Sequence, residues 1–169
     1  METNDIDRQS LAFVGLASEY CAAIEAAAQT EKEEFVASML RLLPRIYITA
    51  SDLQLPPALE EYEPLDPFLD ADHYEQIRAG VALVMGQDDT FLETFEEDMK
   101  YSDTPIAATV SESLADLYQP LINCAVAVRD SEGALTLQAV AECREEFAAY
   151  WAQTLVNVLR PLNALYYNQ

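Results

Sequence analysis

The chain has very little positive charge. Lys and Arg number 9 against 30 Asp and Glu, which gives a formal net charge of −21 at pH 7. Nucleic-acid backbones and anionic membrane surfaces are bound by clusters of Lys and Arg. The composition therefore argues against nucleic-acid partners and against membrane association. A charge of this sign instead favours a basic protein partner.

Histidine and glycine are also scarce. The one histidine, His73, excludes sites that need two imidazole ligands, such as those of di-iron helical bundles. Glycine occurs only 4 times in the chain, which argues against a hairpin-rich β fold because tight hairpin turns use glycine.

Membrane-spanning runs and cysteine motifs are absent from the sequence. No stretch reaches the ~18 consecutive apolar residues that a spanning helix needs, and the polar N-terminal segment does not resemble a signal peptide. Cys21, Cys124 and Cys143 are widely spaced and form no CxxC pair. We therefore predict three buried free thiols in a cytoplasmic, reduced protein.

Apolar residues recur at spacings of three and four through most of the chain, which is the period of amphipathic helices. A length of 169 residues fits one domain, 1–169. The pattern predicts an all-α, single-domain antiparallel bundle of five to six helices. The last stripe is the longest and consists of Leu137, Val140, Cys143, Phe147, Trp151, Leu155, Val158, Leu162 and Leu165.

Prolines interrupt the pattern in two ways. Residues 54–70 hold four prolines interleaved with apolar residues, which predicts a proline-rich strap packed across the bundle between helices 2 and 3.

Pro44 and Pro120 lie inside apolar helical stripes and should kink them. Two interpretations stay open for these kinks: a bend that lets the helix follow the core, or an opening between helices.

Capping patterns predict where helices begin. Thr30, Asp72 and Thr90 are each followed three residues later by Glu, as in a capping box. The helix at Thr90 is expected to be short and acidic. Thr104, followed by a proline, predicts a further helix start.

Several short motifs stand out in the sequence: Leu-Leu-Pro-Arg-Ile-Tyr at 42–47, Leu-Pro at 55–56, Ser-Leu-Ala-Asp-Leu-Tyr at 113–118, Arg-Glu-Glu-Phe at 144–147 and Trp151. Together they resemble a bacterial all-helical family, domain of unknown function 5063. The resemblance covers roughly residues 10–165. It implies a helical cytoplasmic protein with no assigned activity and no assigned catalytic residues.

The most specific candidate for a metal site is a set of four carboxylates: Glu93, Glu96, Glu112 and Asp116. All-helical nucleotide pyrophosphohydrolases hold Mg²⁺ with Glu-x-x-Glu followed by Glu-x-x-Asp, and carboxylate oxygens suit Mg²⁺ or Mn²⁺. The second pair here is spaced by four residues, which still shares a helix face. The competing interpretation is a solvated acidic surface, and no glycine-rich or basic loop is present to hold a triphosphate.

No complete catalytic set is visible, so catalytic residues are unknown and no cofactor is expected. The leading hypothesis is a non-enzymatic binding or interaction module that uses its acidic face or a groove between helices. The alternative is a Mg²⁺- or Mn²⁺-dependent hydrolase of nucleotides or phosphoesters. Apolar and aromatic residues at 165–167 also suggest a homodimer.

Overall fold

The chain folds into six α-helices and one small antiparallel sheet within the part of it that this computed structural model describes. The described residues are 2–54, 63–93 and 106–168, with side chains described from residue 8 onward. The helices are α1 (Glu2–Glu25), α2 (Lys32–Asp52), α3 (Ala71–Met85), α4 (Val110–Asp130), α5 (Thr136–Glu146) and α6 (Ala152–Tyr167). Short 3₁₀ turns lie at Ala27–Gln29 and Gly86–Asp89, and a π-helical turn lies at Phe147–Trp151.

Helix α4 is the central element of the bundle and packs against α1, α3, α5 and α6. Its stripe Leu114, Leu117 and Leu121 is fully buried in a single apolar core. The hydroxyl of Tyr20 on α1 donates a hydrogen bond to the carbonyl oxygen of Leu114 at 2.6 Å, so this buried polar atom is satisfied. The predicted all-α single-domain bundle of five to six helices is confirmed.

The helix starts predicted at Thr30 and Asp72 lie close to the observed N-caps, Glu31 and Asp70, but the capping residues differ. The N-cap of α2 is Glu31, which makes no side-chain capping bond, while the Thr30 hydroxyl donates back to Ala26. Asp70 caps α3 by accepting the His73 amide at 2.7 Å. Thr109, and not Thr104, caps α4. Thr104 lies outside the described residues.

The sequence at Thr90 was predicted to cap a short acidic helix, and this prediction is wrong for the described part. Thr90–Leu92 forms strand β1, which pairs antiparallel with β2 at Ala107–Thr109. The amide of Glu93 continues the ladder by donating to Ile106 at 2.8 Å. The rest of the predicted helix lies in 94–105, outside the described residues.

The strap is described over residues 63–70, and it runs without helix or strand up to the start of α3. Leu69 is buried in the core, and Leu65 packs against it. This agrees with the predicted packed strap, while residues 55–62 lie outside the described part. Within the described chain, none of the helices combines the length and the apolar character needed to cross a membrane.

Candidate functional site

Side chains of α4 and α5 hold the strap by its backbone. The Oδ1 atom of Asn123 accepts hydrogen bonds from the amides of Phe68 and Leu69, both at 2.9 Å. The carboxylate of Glu142 accepts the Leu65 amide at 3.0 Å. Gln138 donates from Nε2 to the Glu63 carbonyl at 2.7 Å. These contacts fix an otherwise irregular segment across two helices.

A cavity of about 280 Å³ lies between the strap, α4 and α5, and we call it the strap groove. Its walls combine apolar groups and thiols with amides and three carboxylates. The lining residues are Leu65, Asp66, Pro67, Gln119, Pro120, Asn123, Cys124, Ala139, Glu142, Cys143 and Glu146. The strap groove therefore offers both an apolar wall and negative charge at one site.

Two buried thiols line one side of the strap groove. The Cys143 thiol donates to the carbonyl oxygen of Pro120 at 3.6 Å. Its pKa is raised well above the ordinary value by a hydrogen bond with the Cys124 thiol and by burial. Burial also raises the pKa of Cys21. All three cysteines are free and buried, as predicted, and the raised values for Cys21 and Cys143 mark unreactive thiols.

The pKa of Glu146 shows the effect of the negative charge around the strap groove. Its pKa is raised from the ordinary value by partial removal from water and by the neighbouring carboxylates Glu142 and Glu145. The guanidinium group of Arg144 lies over the Phe147 ring, 5.2 Å from its centroid. Among the described residues that line the strap groove there is no Lys or Arg, so its negative charge is not compensated from its walls.

The π turn adjoins the strap groove and contains the last of the family-like motifs. The Trp151 indole nitrogen donates to the Cys143 carbonyl at 3.1 Å. The Phe147 ring lies edge-on to Trp151, with centroids 4.6 Å apart, and edge-on to Tyr47, at 5.2 Å. These motif residues thus join α2 to the last helical segment, and their visible role is packing.

Two of the predicted metal ligands lie together on α4. Glu112 and Asp116 are both exposed, on the side of the helix opposite its buried leucines. Asp116 accepts the Tyr74 hydroxyl at 2.6 Å, and burial together with this bond raises the pKa of Tyr74. The pKa of Arg78 is raised mainly by its ion pair with Glu75 and also by Glu112. Both carboxylates therefore face α3.

The other two predicted ligands are only partly described. Glu93 follows β1 and is half-buried, whereas Glu96 lies outside the described residues. In 8–54, 63–93 and 106–168, no three His, Cys, Asp or Glu side chains come close enough together to hold a metal ion. The four-carboxylate site is thus not assembled from described residues alone, and it stays a prediction.

The single histidine occupies a packing position at the start of α3. Its ring contacts Phe68 and Tyr118 edge-on, with centroid distances of 5.8 and 5.9 Å. Tyr118 in turn donates to Glu25 at 3.3 Å. His73 therefore links the strap to α4.

Cavities lie beside the helix prolines. Besides Pro120 in the strap groove, Pro44 lines a space of about 380 Å³ between α2 and α6. Pro161 lines one of about 460 Å³ between α6 and β1. Both interpretations of the kinks, a bend that follows the core and an opening between helices, stay predictions. Asn123, Gln138 and Glu142 were not singled out from sequence, although an amide at 123 within an apolar stripe is a usable signal.

Comparison with known proteins identifies a family and a similar solved structure. The family model for the domain of unknown function DUF5063 matches residues 4–168. The crystal structure of protein BF1032 from Bacteroides fragilis is 26% identical, with a TM-score of 0.82 and coverage of 96% of this chain and 95% of that chain. No curated protein matches the chain. Because the family model spans almost the whole sequence, the resemblance is confirmed: the chain belongs to the DUF5063 family.

Proposed function

We propose that the protein is a non-enzymatic interaction module that binds a basic segment of a partner protein at the strap groove. The observation that carries this proposal is the set of carboxylates Asp66, Glu142 and Glu146 around one cavity whose described walls hold no cation. A partner that brings positive charge would lower the repulsion among these groups. The overall charge of −21 would attract such a partner from a distance.

The ion pairs of the described residues lie elsewhere. They join Lys32 to Asp88 at 2.5 Å, Arg78 to Glu75 at 2.5 Å and Arg129 to Asp130 at 3.1 Å. None of these three pairs uses a carboxylate of the strap groove. The other described Lys and Arg side chains do not line the strap groove either, which leaves it available to an external cation.

Binding of a fluorescent octalysine peptide, measured by anisotropy at low and at physiological salt, tests the proposal. We expect binding that weakens with salt and that falls about tenfold in the double variant Glu142→Gln/Glu146→Gln. Glutamine at 142 retains an acceptor for the Leu65 amide, so the strap contact survives the change.

The matched control is Glu19→Gln/Glu34→Gln, which removes two exposed carboxylates that do not line the strap groove. The control should bind the peptide like the unaltered protein. Equal losses in both double variants would mean that the peptide responds only to net charge. That result, or the absence of binding at low salt, would contradict the proposal.

The alternative, a Mg²⁺- or Mn²⁺-dependent hydrolase using Glu93, Glu96, Glu112 and Asp116, stays a prediction. We place it second because Asp116 is already bonded to Tyr74 and because Arg78 supplies positive charge near Glu112. Thermal melting with millimolar Mg²⁺ or Mn²⁺ separates the two functions. A rise in melting temperature that Asp116→Ala abolishes would favour the hydrolase.

A cytoplasmic location and a homodimer through residues 165–167 also stay predictions. In this segment Tyr167 is exposed and its ring lies edge-on to Tyr166, at a centroid distance of 4.8 Å. Sedimentation equilibrium of the full chain and of Tyr167→Ser tests the dimer. A monomer at all concentrations would contradict it.

A further inference from the structure

The strap groove has the size of a single side chain. Its volume of about 280 Å³ lies just below the range of roughly 300–1,000 Å³ that is typical of pockets for drug-sized ligands. One long side chain or one small amine, with a few waters, would fill it.

The walls of the strap groove differ in chemistry from one part to another. Leu65, Pro67, Pro120 and Ala139 supply apolar surface. Gln119 and Asn123 supply amides, and Asp66, Glu142 and Glu146 supply carboxylates. Lysine and arginine match such a lining, because their aliphatic stems pack on apolar surface while their charged ends stay with polar groups.

The carboxylates also indicate that the ligand carries a positive charge. Glu146 is flanked by Glu142 and Glu145 on α5, and it shares the lining of the strap groove with Asp66 and with the thiols of Cys124 and Cys143. The nearest cation in sequence, Arg144, lies over Phe147 and does not line the strap groove. An ammonium or guanidinium group would supply the missing positive charge, whereas an anion would add to the repulsion.

We propose that the strap groove binds one alkylammonium or guanidinium group on an aliphatic stem, which in the partner protein is the side chain of one lysine or arginine. This inference rests on the proposed function and narrows it to a single inserted side chain. The strap forms one wall of the site, and its bonds to Asn123 and Glu142 keep that wall in place.

The first experiment titrates the ¹⁵N-labelled full chain with three probes at millimolar concentration. They are N-acetyl-lysine methylamide, its Nε-acetylated neutral form, and pentylamine. We expect the charged lysine probe to shift the amide signals of Leu65, Asp66, Gln119 and residues 121–124 and 139–146, and the neutral form to leave them unchanged. If the lysine probe binds more tightly than pentylamine does, the result supports a ligand that is the side chain of a protein. The reverse order would overturn that assignment in favour of a free amine.

The second experiment blocks the site sterically. Gln119 is exposed on α4 at the strap groove, so Gln119→Trp should fill the opening without touching the core. We expect the charged probe to bind about tenfold more weakly to this variant, because the indole occupies its place. The control Gln153→Trp, at an exposed position of α6, should bind like the unaltered protein.

The electrostatic readout is the carboxyl carbon of Glu146, followed by ¹³C NMR titration. A bound cation favours the charged carboxylate, so the charged probe should lower the pKa of Glu146 and the neutral probe should not. Normal melting of each variant checks that it folds. The Glu142→Gln/Glu146→Gln variant, which leaves the cavity shape almost unchanged, should lose the probe as well.

The outcomes separate the inference from the function on which it rests. Suppose that binding of octalysine still requires Glu142 and Glu146 but that Gln119→Trp binds the lysine probe normally. The insertion of one side chain into the cavity is then wrong, whereas the proposed interaction module is still supported. If octalysine fails to bind, both are wrong. Amide shifts centred outside the strap groove would also overturn the inference.

Discussion

The Trp151 indole nitrogen donates a hydrogen bond to the Cys143 carbonyl oxygen at 3.1 Å, from the end of the π turn to the last turn of α5. The Phe147 amide donates to the same oxygen, so the carbonyl accepts twice. The Trp151 ring also contacts Phe13 of α1, at a centroid distance of 6.5 Å. The Trp151 side chain thus couples the π turn to both α5 and α1.

Trp151→Phe should destabilise the protein. The variant removes the indole donor and part of a side chain that is only 3% exposed. Loss of a buried hydrogen bond costs about 1 kcal/mol, and the smaller ring adds a cavity cost, so we expect a decrease of about 2–3 kcal/mol in the free energy of unfolding. Chemical denaturation followed by circular dichroism measures it.

Tyr150→Phe is the control for this substitution. Tyr150 lies in the same turn but is 74% exposed. Its loss of one hydroxyl should change the free energy of unfolding by less than about 0.5 kcal/mol. Equal effects of the two substitutions would contradict a specific role for the indole bond.

The π turn illustrates how far the apolar pattern predicts the structure. Cys143, Phe147, Trp151 and Leu155 are each four residues apart, and all are buried. In a regular helix of ~3.6 residues per turn, each such step rotates the stripe by about 40°. A π turn holds more residues per turn than an α-helix does, so it compensates for this rotation and keeps the stripe on the buried face. The pattern therefore predicted one long helix correctly, and three equal steps of four were the signal for its irregular turn.

The strap groove could not be predicted in the same way. Its bonds join Leu65 to Glu142 and Phe68 to Asn123, which lie 77 and 55 residues apart in the chain. Such contacts depend on tertiary packing and leave no local period. Proline content placed the strap at 54–70, whereas the side chains that hold it became visible only in three dimensions.

Strand β1 was not predicted from the sequence, and the reason is again that its conformation depends on contact with another part of the chain. Three residues are too few for an alternating pattern, and Thr90 with Glu93 also matches a helix cap. Pairing with Ala107–Thr109, a distant segment, decides the conformation. Local capping signals were more reliable where a helix follows at once, as they were near α3.

Asn123→Ala should loosen the strap. The substitution removes the acceptor of the Phe68 and Leu69 amides, and each lost hydrogen bond contributes about 1 kcal/mol. We expect hydrogen exchange of these two amides to accelerate about tenfold or more. Mass spectrometry of peptides that cover 63–70 measures the exchange.

Asn123→Asp is the matched variant, because it keeps an oxygen acceptor at the same position. It should retain most of the protection that Asn123→Ala loses. Unchanged exchange in Asn123→Ala would show that the strap is held by its apolar contacts, chiefly through Leu69, and not by this amide.

Glu146→Gln should stabilise the protein at neutral pH. Because the folded protein raises the pKa of Glu146 above its ordinary value, the folded state binds the proton more tightly than the unfolded state does. This contribution to stability is complete below the ordinary pKa and is lost as pH rises through the raised value. The melting temperature of the variant should therefore match that of the unaltered protein near pH 3.5 and exceed it at pH 7.

Glu19→Gln removes one carboxylate from an exposed position of α1 and serves as the control. It lowers the net negative charge by the same amount but leaves the Glu142, Glu145 and Glu146 group intact. The gain at pH 7 should be smaller than that of Glu146→Gln. A gain of equal size would assign the effect to overall charge.

The cysteines provide a test of the core around the strap groove. Cys21, Cys124 and Cys143 are each at most 3% exposed, and the Cys143 thiol is bonded to its neighbours. Thiolate is the reactive form, and a raised pKa keeps Cys21 and Cys143 protonated. We therefore expect alkylation by iodoacetamide at pH 8 to be slow in the folded protein and complete at all three sites in denaturant.

Opening of the strap should affect these thiols unequally. Cys124 and Cys143 line the strap groove, whereas Cys21 does not. In Asn123→Ala, alkylation should accelerate at Cys124 and Cys143 and stay slow at Cys21, as peptide mapping by mass spectrometry would show. Equal acceleration at all three would mean that the reagent enters through global unfolding. Selective acceleration instead requires that the strap itself shields the two thiols, because Cys21 shares their burial but not their position.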